Sequence, residues 1–250
     1  MQSGNPALGK NTFLDVSTGR VLSGDGVMTL NGTVNKTGLL LVLVLVGAMV
    51  SWSRYAGPLS IPTLYPLMIG GAIAGFVLAL VTVFKKQWAA YTAPLYAVVE
   101  GLFIGALSAI FEARFPGIVI QAVGLTFGTM AALLVAYRSG WIKATEKFKL
   151  GVVAATGGVC LLYLVSMVMG FFGHSIGFIN SSSGIGIGFS VLVVIIAALN
   201  LILDFDLIEN GVKVGAPKYM EWYGAFALVV TLVWLYLELL RLLSKLQSRN

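Results

Sequence analysis

Of the 250 residues, 58% are hydrophobic and only 10% charged, and the mean hydropathy is +0.93. A soluble domain carries roughly 25% charged residues, so a soluble enzyme or binding module is excluded, and apolar runs that are continuous rather than alternating exclude a transmembrane β-barrel. The net charge of +6 resides mostly in short loops between those runs, an orientation signal rather than a nucleic-acid surface.

Residues 1–35 are rich in Gly, Ser, Asn and Thr, with single charges at Lys10, Asp15, Arg20 and Asp25. This composition predicts a cytoplasmic, largely disordered tail, with a hairpin or plug between Val21 and Val34 as the alternative. It lacks the basic end, short apolar run and cleavage site of a signal peptide. Residues 36–250 read as a single membrane domain of seven helical spans. These lie near Thr37–Trp52, Thr63–Phe84, Ala89–Phe111, Gly117–Tyr137, Leu150–Phe172, Gly184–Ile208 and Trp222–Leu243, and most approach the ~20 residues a bilayer requires.

Small residues allow helices to approach closely in lipid. Gly70, Gly71, Ala74 and Gly75, the pair Gly101 and Gly105, the pair Gly124 and Gly128, and the run Gly184, Gly186, Gly188 therefore predict tight packing. Pro94 predicts a kink in the third span. Trp52, Trp88, Trp141 and Trp222 stand at span ends as interface anchors. One cysteine (Cys160) and one histidine (His174) leave no zinc set and no catalytic thiol. The SSSGIGIG run lacks the Lys-Ser/Thr of a phosphate loop. No nucleophile–base pair is visible, so the reading is not an enzyme.

Lys10, Arg20, Lys36, Lys85, Lys86, Arg138, Lys143, Lys147, Lys149, Lys213 and Lys218 fall on one side, and Arg54 and Arg114 on the other. The N-terminus is therefore expected in the cytoplasm. Seven crossings then place Arg241, Lys245 and Arg249 outside, against the rule. Either the last segment turns back, or the earlier loops outvote it.

Carboxylates inside apolar spans are expensive and mark function by default. Glu100 lies about 11 residues into the third span, near the bilayer centre at ~1.5 Å per residue. It is either a neutral acid bonded between helices or a pathway residue. Asp204 and Asp206 point about 200° apart on one helix, so one faces the interior and the other the cytoplasmic edge. Glu238 sits deep in the last span. A hairpin folded near Trp222 would bring Asp206 and Glu238 to similar depth. Such a pair shares a proton in acid and becomes two repelling charges as pH rises, a proton-operated latch. Its ionised oxygens suit Ca²⁺. Arg241, three residues after Glu238, offers an intrahelical neutraliser instead.

The F-D-x-x-E run from Phe205 to Glu209, the L-Y-L-acid-L segment from Leu235 to Leu239, and the Gly-rich EGLFIGALSAIF from Glu100 together resemble the Bax-inhibitor transmembrane family, in its bacterial branch with a long N-terminal tail. The resemblance covers residues 35–246. It implies six helices surrounding a central C-terminal helix, in the bacterial inner membrane. It also implies a pH-sensitive Ca²⁺ leak gated by two acids, matched here by Asp206 and Glu238. The family commonly has Asp where this chain has Glu238, and the turn between the acids is longer here. A basic residue near the pair would correspond in region to Lys85 or Lys86. Lipid, protons and Ca²⁺ are the expected partners, with no cofactor and no nucleic acid. The same acids would also serve a proton-coupled secondary transporter. A non-conducting regulator that binds membrane proteases or other membrane proteins is the third class.

Overall fold

The computed structural model describes residues 26–55, 61–174 and 177–249. The expected disordered tail falls, up to residue 25, outside them. Seven long helices follow in order: α1 (Leu30–Trp52), α2 (Ile61–Phe84), α3 (Ala89–Arg114), α4 (Ile118–Arg138), α5 (Glu146–Phe171), α6 (Gly184–Lys213) and α7 (Met220–Gln247). Each is long and apolar enough to cross a membrane, and the chain is an all-α, multi-pass membrane protein. A 3-10 turn (Lys86–Trp88) joins α2 to α3, and one helical turn (Gly177–Asn180) precedes α6.

The helices match the expected spans in number and order, and differ at their ends. α1 begins at Leu30 rather than Thr37. Asn31, Gly32, Asn35 and Lys36 break the apolar pattern there. A helix forms regardless because Thr29 caps it, its hydroxyl accepting from the Gly32 N–H at 3.0 Å. α5 starts at Glu146 behind a second threonine cap, Thr145. α4 starts after Gly117, whose φ of +84° suits glycine. The Glu112 carboxylate accepts from the Gly117 and Val119 N–H groups at 2.6 and 3.1 Å, satisfying donors that a helix start leaves open. Pro94 lies within α3, which continues past it to Arg114. α7 runs unbroken for 28 residues, about 42 Å at ~1.5 Å per residue, so it does not turn back. It is also the most buried of the seven, and α5 is the least buried.

Two compact units make up the chain. Among the described residues, the first holds those up to Leu107 together with Asp206–Val229, and the second Ser108–Phe205 together with those from Val230 onward. In the first, α1 and α3 meet backbone to backbone. A side chain at Gly47 would strike the Val98 carbonyl oxygen, one at Gly101 that of Val44, and one at Gly105 the backbone of Ala48. Ser51 Oγ donates to the Leu102 carbonyl across the same seam at 2.7 Å. Gly71 lies as closely against Phe103 on α3. Gly70, and from the remaining sets Gly124, Gly128, Gly184 and Gly188, differ from expectation: a side chain added there would meet no atom within 4 Å. A small residue permits close approach without compelling it.

A cluster of Met28, Ile208, Ala216 and Met220 closes the α6–α7 turn in the first unit. In the second unit Val159, Val193 and Ile196 pack with Tyr163, Phe189 and Trp234. Ser108 and Tyr236 join hydroxyls there at 2.6 Å.

Candidate functional site

α6 ends at Lys213 and α7 begins at Met220. Between them Gly215 takes φ +66° and Pro217 interrupts the helical donors. The reversal therefore falls at residues 214–219, and Trp222 already belongs to α7. Asp206 lies seven residues before the end of α6, about 10 Å, and Glu238 eighteen residues past the start of α7, about 27 Å. The equal distance expected from a fold at Trp222 is not met.

Each acid has its own surroundings. Glu238 is almost fully enclosed, its side chain 3% exposed. The Tyr163 hydroxyl donates to its two oxygens at 3.1 Å each. Arg241 Nη1 reaches the same oxygens at 3.2 and 3.3 Å and the Tyr163 oxygen at 2.6 Å. The guanidinium also stacks over the Tyr163 ring, 5.0 Å from its centre. A carboxylate, a cation and a phenol thus form one cluster in the second unit, which neutralises a charge that hydrocarbon would not tolerate.

Asp204 is compensated less well. The Thr231 hydroxyl is its hydrogen-bond partner, while its Oδ2 is buried with no partner among the described residues. Asp206 accepts from the Asn210 side-chain amide, one turn on, at 2.8 Å. Of the two aspartates on α6, Asp204 is the one with a buried oxygen that lacks a partner among the described residues. Glu100 is 8% exposed. Its carboxylate occupies the space that a side chain at Gly75 would fill, and it forms no ion pair among the described residues.

The remaining candidates are simpler. Lys86 stacks over Tyr223, 5.3 Å from the ring centre. His174 is exposed and bonds locally to the Phe172 carbonyl at 3.0 Å. Cys160 is exposed. No group of three or more His, Cys, Asp or Glu converges among the described residues as a metal set.

Sequence reasoning passed over three residues. Tyr163 carried no signal beyond being a phenol inside a span. Lys245 is 5% exposed, and its ammonium donates to the Ile179 carbonyl at 2.6 Å, the Gly186 carbonyl at 3.0 Å and Ser190 Oγ at 2.7 Å. Glu221, read only as part of a charged turn, is fully buried. It accepts from the Thr29 N–H and hydroxyl at 2.8 Å each and from Lys218 at 2.8 Å, and it pairs with Lys36. The available signal was Lys218 three residues before it, a helical neighbour spacing.

A family model described as Bax inhibitor 1 like matches residues 3–248. No curated protein matches the chain.

Proposed function

Because the chain belongs to the Bax inhibitor 1 like family, we propose that it is a pH-sensitive Ca²⁺ leak of the bacterial inner membrane, with its N-terminus cytoplasmic. The observation that carries this reading is the buried Asp204 Oδ2 inside an apolar span, without a partner among the described residues. A neutral carboxylic acid tolerates that position, whereas an ionised one draws in water, a cation or a rearrangement. Ionisation therefore favours a wetter, cation-attracting state, and its oxygens are hard ligands for Ca²⁺. Ca²⁺ acts here as a passing ion rather than a resident one. Glu238 is already balanced by Arg241, so its substitution releases a cation as well as removing an acid. Asp206 and Glu238 enter the proposal through the family resemblance, Asp204 through its surroundings, and Glu100 as a pathway residue.

The test is Ca²⁺ entry into liposomes holding purified protein, stepped from acidic to mildly basic pH. Wild-type flux is expected to rise about tenfold across the range, a shift of roughly 1.4 kcal/mol between states. Asp204→Asn is expected to flatten that dependence, and Asp206→Asn or Glu238→Gln to displace it. Glu100→Gln lowers flux at every pH. Wild-type protein that passes no Ca²⁺ at any pH would end the leak reading. Saturable, substrate-dependent flux would replace it with a transporter.

A further inference from the structure

A cavity of about 380 Å³ opens within the second unit where α3 and α7 end and the chain approaches α6. Arg241, Ser244, Lys245 and Ser248 line it from α7, at the three- and four-residue spacing that puts side chains on one helix face. Arg114 lines it from the last turn of α3, and Ser182 from the segment before α6. Among the described residues no acidic side chain lines it, and Phe111 and Phe115 supply an apolar wall.

The ordinary role of basic residues at helix C-termini is to offset the helix dipole. That role accounts for Lys245 least, because its ammonium is buried and turned to fixed acceptors on the segment before α6 and the first turns of α6. It lends charge to the cavity while its protons hold the wall. Arg114 is exposed, and apart from lying 5.4 Å over the Phe115 ring it makes no ion pair or hydrogen bond among the described residues. Arg241 commits only Nη1 to Glu238 and Tyr163, leaving Nε and Nη2 without partners among the described residues. The charges of Arg114 and Lys245, the uncommitted guanidinium donors of Arg241 and small hydroxyls suit the tetrahedral oxygens of a phosphate. The cavity also stands at span ends, the depth of lipid headgroups.

We propose that this cavity binds a phosphate-bearing anion, supplied either as a free phosphate or as the headgroup of an anionic phospholipid. The proposal stands apart from the leak reading, since binding is measured without flux. The experiment uses the full chain in detergent. Binding of phosphatidylglycerol and of phosphatidylcholine is titrated by native mass spectrometry. Thermal stabilisation by inorganic phosphate is compared with chloride at equal ionic strength. Arg114→Gln removes a charged donor and is expected to weaken binding about tenfold. Ser182→Leu fills the cavity without removing charge and is expected to weaken it as well. Lys143→Gln, at an exposed position in the α4–α5 loop, serves as the charge control and leaves binding unchanged. Tighter phosphatidylglycerol binding that both cavity variants lose assigns a lipid. Stabilisation by inorganic phosphate that both variants lose, with the two lipids equal, assigns a free anion. Two results overturn the proposal: both cavity variants matching Lys143→Gln, or neither lipid charge nor phosphate mattering to wild type.

Discussion

Glu221→Ala is expected to lower unfolding stability by about 3 kcal/mol or more, the scale of a broken buried ion pair. The side chain has no exposed surface, yet Lys36, Lys218 and both donors of Thr29 converge on it. Alanine leaves Lys36, whose side chain is only 18% exposed, without its anion. It also removes the acceptor that fixes the start of α1. Lys218 is 46% exposed and can return to water, so Lys218→Ala is expected to cost under about 1 kcal/mol. Glu221→Gln retains the shape and falls between the two. Unfolding in mixed micelles of increasing dodecyl sulfate ranks the three, and proteolysis near residues 26–29 reports the loosened start. Equal midpoints for Glu221→Ala and Lys218→Ala would show that the cluster does not anchor the segment.

Gly101→Val is expected to cost about 2–3 kcal/mol, the upper range for overpacking. What it meets is the backbone of α1 rather than a movable side chain, so relief requires the two helices to part. Gly105→Ala acts in the same way against the Ala48 backbone. Gly128→Ala is the internal control. That glycine has open space around it, and alanine is favoured over glycine in a helix by about 1 kcal/mol, so the change is neutral or stabilising. The same micellar titration distinguishes them. A Gly101→Val protein as stable as Gly128→Ala would mean that the α1–α3 seam yields easily.

Those glycines show where a sequence stops being readable. Gly101 with Gly105 and Gly124 with Gly128 present the same four-residue spacing, yet only the first pair is a contact. Spacing marks a face that permits approach, and the partner helix decides whether it is used. The spans themselves were legible because hydrocarbon demands long apolar runs. The start of α1 was not, since Thr29 and Glu221 stabilise it from outside the pattern and are 192 positions apart. Asp204 and Asp206 were legible as acids facing opposite ways, but not which of them lies inside. Their depth relative to Glu238 depended on a turn located from a sequence midpoint. Lys213, Gly215, Pro217 and Lys218 mark the true turn ahead of it. Arg241 was readable three residues from Glu238. Tyr163, which completes that cluster, comes from a helix that no local rule connects to it.

Val27 bridges to Pro217, and the Met28 N–H donates to the Ala216 carbonyl at 2.7 Å. With Thr29 bound to Glu221, three consecutive residues fasten the chain to the α6–α7 turn. The start of α1 and the α6–α7 turn thereby move as one piece, and a strain at the turn reaches the first helix directly rather than along the helices between them in sequence.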